Sequence, residues 1–150
     1  MDNHKEIAKA VNGLIEKNED AHKGFLQAKD KAESSGLKTY LAEQAGKREK
    51  YADELRTEVG KLETSKDAET SGSASGSLHR GWMSIKNALS SGDEAILEEC
   101  INGDKAMIEE YKKTWEDHRN LPSQLMDMMS KQVTDIQSTQ SKVKTLEDLK

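Results

Sequence analysis

Residues 7–37 read Ile-Ala-Lys-Ala-Val-Asn-Gly-Leu-Ile-Glu-Lys-Asn-Glu-Asp-Ala-His-Lys-Gly-Phe-Leu-Gln-Ala-Lys-Asp-Lys-Ala-Glu-Ser-Ser-Gly-Leu. Ile7, Val11, Leu14, Asn18, Ala21, Phe25, Ala28 and Ala32 fall on one stripe at alternating spacings of four and three. That is the heptad spacing of a helix buried along one side, helix A, expected over about 3–33. Ser34-Ser35-Gly36 ends the run, and Gly36 suits a left-handed position after a helix. Leu37 restarts the pattern, so the second helix folds back antiparallel to the first.

Working outward, the same spacing recurs three more times. Helix B is expected over about 37–63, with Leu37, Leu41, Gln44, Arg48, Tyr51, Leu55, Val59 and Leu62 on its seam. Helix C is expected over about 93–118, with Leu97, Ile101, Asp104, Ile108, Tyr111, Trp115 and His118. Helix D is expected over about 122–149, with Leu125, Met129, Gln132, Ile136, Thr139, Val143 and Leu146. Ser91-Gly92-Asp93 supplies a helix stop in Gly92 and a helix cap in Asp93. Pro122 suits a first helical turn. Between helices B and C lies a polar stretch and then a short amphipathic helix, about 75–90, with Leu78, Trp82, Ile85 and Leu89 on one stripe.

The plan is all-α: two antiparallel helical hairpins joined by a long crossover that carries a short extra helix, in one domain over residues 1–150. A crossover of this length traverses the bundle and leaves helices B and C parallel, which is the connectivity of ferritin-like bundles. Composition agrees. Aromatic residues make up 4%, charged residues 34%, and there is one proline. Lys, Glu, Ala, Leu, Gln and Met favour helix, and few residues favour strands.

The formal net charge of −5 disfavours a general nucleic-acid binder. No apolar run approaches the length of a membrane span. The first residues, Met1-Asp2-Asn3-His4-Lys5-Glu6, lack an apolar signal region. One cysteine, Cys100, cannot form an internal disulfide. A cytoplasmic protein is expected.

Each seam is interrupted near its middle by polar residues: Asn18, Gln44 with Arg48, Asp104, and Gln132. A seam arginine needs an acid, because an unpaired buried charge is very costly. Asp104 is the one acid on these seams, so the two are expected to meet in the core. A layer of this kind fixes helix alignment, as single polar seam residues do in coiled coils. It also sits at the depth where metal-binding bundles hold their ions.

A di-iron bundle needs Glu-x-x-His on two helices and a further Glu on each of the others. The chain offers one such motif, Glu19-x-x-His22, and helices B and D carry no histidine. No di-iron site and no cofactor is expected. Glu19 and His22 remain the candidates for a mononuclear metal, and the ordinary alternative is an exposed pair. Ser71-Gly72-Ser73-Ala74-Ser75-Gly76-Ser77 lacks the Gly-Lys-Ser/Thr ending of a phosphate-binding loop.

Ser71-Gly72-Ser73…Gly76-x-Leu78-His79-Arg80-Gly81-Trp82, followed by Ile96-Leu97-Glu98-Glu99-Cys100-x-x-Gly103-Asp104, resembles a known family. It is similar to the uncharacterised bacterial four-helix-bundle proteins of the ferritin-like superfamily, classed as a domain of unknown function. The resemblance implies a ferritin-like fold and a bacterial source, and no established activity. It implies that Asp20, Arg48, His79, Arg80 and Asp104 are the family's recurring positions. With Trp82, the residues Asp20, His79 and Arg80 are candidates for a ligand or partner site. The favoured function is a non-enzymatic protein acting through association, as a homo-oligomer such as a dimer, in a stress response. The alternative is a small-molecule or mononuclear metal-binding protein that uses the polar layer.

Overall fold

The computed structural model describes residues 2–62 and 88–150. Four long helices account for most of them: Asp2–Lys31 (α1), Ser35–Leu62 (α2), Asp93–Asp117 (α3) and Ser123–Lys142 (α4), followed by a 3-10 turn at Leu146–Leu149. No strand occurs among the described residues. The expected short helix over 75–90 falls outside them, except for its last residues, where Ala88 is buried.

α1 packs against α2 and α3, and α4 packs against the same two, so α2 and α3 face each other across a diagonal of the bundle. The most extensive contact is between α1 and α2. Small side chains permit it: Ala8, Ala21 and Ala28 on α1, Ala32 just after it, and Ala45 and Ala52 on α2 are all buried. Leu62 and Asp93 lie at opposite ends of the bundle. Lys61 Nζ at the end of α2 donates to Gln124 Oε1 at the start of α4. Asp93, at the start of α3, sits beside the α1–α2 turn at the other end. α2 and α3 therefore run parallel, and each is antiparallel to its own hairpin partner.

Three local details correct the sequence reading. Gly36 is not left-handed. It lies inside the first turn of α2, and the described glycine with positive φ is Gly92, at 102°. The turn is instead closed by Ser34, whose Oγ accepts the Leu37 amide at 3.3 Å. Asp93 does not cap its own helix. Its carboxylate accepts the backbone amides of Glu33 and Ser34 at 2.9 and 2.8 Å, so it holds the first hairpin's turn. Pro122 precedes α4 as its N-cap residue and accepts the Met126 amide at 2.9 Å.

The largest correction is the end of helix D. α4 stops at Lys142, not near residue 149. Val143 is extended, at φ −121° and ψ 102°. The Asp148 carboxylate accepts the amides of Lys144 and Thr145 at 2.8 and 3.1 Å. Thr145-x-x-Asp148 is the sequence pattern of a capping box, which starts a new turn rather than continuing an old helix.

The core divides into two apolar clusters. The lower one holds Ile7, Val11, Leu14, Leu55, Val59, Ile108, Leu125, Met129, Val133 and Ile136 with their neighbours. The upper one holds Phe25, Leu37, Tyr40, Leu41, Ile96, Leu97 and Cys100 among others. Between the two lies the polar layer. No described helix is long and apolar enough to cross a membrane.

Candidate functional site

All five polar seam residues are buried: Asn18, Gln44, Arg48, Asp104 and Gln132. Arg48 is the largest fully buried side chain, at 1% exposure. Its Nη2 donates to Asp104 Oδ1, joining α2 to α3 across the diagonal. The guanidinium carbon also lies 5.6 Å from the Phe25 ring centre and 5.7 Å from that of Tyr51. Both rings are within the range at which an aromatic face attracts a cation. Burial pushes the Asp104 carboxyl above its ordinary value, and the Arg48 charge pulls it part of the way back.

A second chain of hydrogen bonds crosses the same level. Asn18 Nδ2 on α1 donates to Leu14 O and to Tyr111 Oη on α3, each at 3.0 Å. The Tyr111 hydroxyl donates to Gln132 Oε1 on α4. Gln132 Nε2 then donates to Glu54 Oε1 on α2 at 3.0 Å and approaches Tyr51 O at 3.4 Å. One connected path therefore touches all four helices. Burial pushes the Tyr111 hydroxyl up to about 12, so it stays a neutral donor at ordinary pH.

At the edge of the layer, Tyr51 Oη donates to Asp135 Oδ2 on α4, and Lys47 Nζ lies 3.4 Å from the same oxygen. Burial pushes Asp135 up, but the Tyr51 hydrogen bond, Lys47 and Arg48 together hold its carboxyl below the usual range. Tyr51 thus contributes its ring, its hydroxyl and its carbonyl to the layer.

Tyr51, Tyr111 and Asp135 were not among the residues expected here. Both tyrosines sit on seams and pass as apolar filler. The available signal was chemical: a buried tyrosine hydroxyl needs a partner, and Asn18 and Gln132 were the nearest polar seam residues.

Several polar atoms of the layer find no hydrogen-bond partner among the described residues: Arg48 Nε and Nη1, Asp104 Oδ2 and Asn18 Oδ1. The layer is therefore bonded across all four helices but not saturated by the described residues.

The metal candidates are not brought together. Glu19 pairs with Arg56 of α2 at the surface. His22 Nδ1 donates to the Ala45 carbonyl at 2.8 Å, which ties the ring to the α2 backbone. No group of three or more His, Cys, Asp or Glu suited to a metal ion occurs among the described residues. Asp20 is partly buried on α1, where its charge acts on Glu16 and Lys17. His79, Arg80 and Trp82 lie outside the described residues. Cys100 is buried one turn above Asp104, and burial pushes its thiol far above the ordinary value.

No curated protein and no solved structure matches the chain. One family model does, over residues 6–117, which take in α1, α2 and α3 almost entirely, with Asn18, Gln44, Arg48, Asp104 and Tyr111. Gln132 and Asp135, the layer's contributions from α4, fall beyond it. The chain belongs to the family described as domain of unknown function DUF2383.

Proposed function

We propose that this chain is a ferritin-like bundle from a bacterial cytoplasmic protein that works without catalysis, by associating with further copies of itself. In this reading the polar layer aligns the helices and the outer surface does the work. One observation carries it: the main polar groups of the layer are engaged with one another, through Arg48–Asp104 and through the path from Asn18 to Glu54. The parallel arrangement of α2 and α3 supports the ferritin-like connectivity. The bacterial setting rests on the sequence resemblance, and the cytoplasmic one is in keeping with a single buried thiol. Light scattering across a dilution series, with metal analysis of protein purified without chelator, tests the reading. A dimer or larger species free of stoichiometric metal is expected. A strict monomer, or one equivalent of bound transition metal, overturns it.

The second reading is a binding site in the layer for a small polar molecule or a single metal ion. The unpartnered atoms of Arg48, Asp104 and Asn18 favour it, because buried polar atoms in native proteins nearly always have a partner. Donors and acceptors are mixed there, which suits a neutral ligand better than an ion beside a fixed guanidinium. Mass spectrometry of the protein under native conditions separates the two, since a retained small molecule would add mass that Arg48→Met removes.

A further inference from the structure

We propose that residues 143–150 form a strap that seals the upper end of the bundle and can leave its seat while the four helices stay packed. Every buried side chain of α4 apart from Gln132 of the polar layer, namely Leu125, Met129, Val133 and Ile136, belongs to the lower apolar cluster. The apolar side chains of the strap, Val143, Leu146 and Leu149, pack on the upper cluster. The helix and the strap are thus attached to different halves of the core. Extended backbone at Val143 and Thr145 separates them.

The strap lies against α2 and α3, where a longer α4 would have run. It is lightly held: no residue of its 3-10 turn is buried. Few buried apolar contacts mean low local stability. The Asp148 carboxylate closes the turn onto the strap's own amides, but so short a turn is marginal alone, so its amides open once the strap leaves its seat. The seat itself is specific. A Cβ added to Gly36 would overlap the Leu149 carbonyl oxygen, so the strap docks where α2 presents bare backbone. Beside it runs a groove of about 610 Å³, with Leu97 and Ile101 of α3 on one wall and Lys144 and Leu146 of the strap on the other. Departure of the strap would merge this groove with the apolar surface it covers.

Hydrogen exchange on the full chain tests the proposal. In the wild type, the amides of Asp148 and Lys150, bonded within the turn, should exchange through local opening that low denaturant does not accelerate. Amides around Ile136 should exchange only with denaturant-dependent global unfolding. Gly36→Ala is the variant, because alanine suits a helical position better than glycine and meets only the strap. It should speed strap exchange about tenfold and induce binding of an apolar dye, with exchange around Ile136 unchanged. Leu149→Ser should do the same without touching a helix. Strap amides that follow the denaturant dependence of Ile136, or both variants leaving strap exchange unaltered, would overturn the proposal.

Discussion

Arg48 and Asp104 meet across the diagonal of the bundle, with side-chain exposures of 1% and 2%. Neither charge can reach water, so each depends on the other. Arg48→Met should destabilise the chain by about 3–5 kcal/mol, because it strands Asp104 in the core. Replacing both, as Arg48→Met with Asp104→Leu, should recover most of that loss, since a packed apolar pair is often as stable as a buried ion pair. Urea denaturation of the two single variants and the double variant measures this, and additive losses would contradict it.

Tyr111→Phe keeps the ring in the lower cluster and removes the hydroxyl that links Asn18 to Gln132. Leaving buried polar groups unsatisfied costs about 1–3 kcal/mol. The expected result is a lower denaturation midpoint with an unchanged slope. A midpoint equal to wild type would mean that Asn18 and Gln132 find other partners.

Asp135 should shape the acid limb of stability. Its carboxyl is held below the ordinary 3.8 in the folded chain, so the folded state binds that proton less readily than the unfolded one. The stabilisation is complete above the unfolded value and is lost as pH falls through the folded one. Asp104, raised by burial, acts in the opposite sense. Asp135→Asn should therefore flatten the fall in melting temperature below about pH 4. Melting curves from pH 2 to pH 7 check this, and parallel acid limbs for the variant and wild type would contradict it.

Asp93→Ala removes the acceptor for the Glu33 and Ser34 amides. The site is near the surface, so water can replace part of what is lost. A cost of about 1 kcal/mol is expected, comparable to loss of a helix cap. The amides of residues 33 and 34 should lose exchange protection first.

The seams of α1, α2 and α3 were legible because heptad spacing survives the polar interruptions. The Arg48–Asp104 pair was legible for a different reason: a buried cation demanded an acid, and only one acid lay on a seam. The Asn18–Tyr111–Gln132 path was only half visible. Spacing placed all three residues, but nothing in spacing distinguishes a tyrosine that fills space from one that donates a proton. The end of α4 was not legible because Val143 and Leu146 keep the heptad after the helix has stopped. Gly36 looked like a turn residue by type, yet its bareness serves the close approach of Leu149, a contact between residues far apart in sequence.

The two-part core has a consequence for how the chain finds its fold. Heptad helices can dock one repeat out of place with little loss of apolar contact. Here α2 and α3 are set by Arg48 opposite Asp104. Displacing α3 by seven residues in one direction would put Arg48 against Leu97 and Asp104 against Leu55. In the other direction, Arg48 would meet Tyr111 and Asp104 would meet Leu41. Either error buries two uncompensated charges at once, a penalty that the native alignment avoids. The layer makes the native alignment the favoured one among the heptad alternatives.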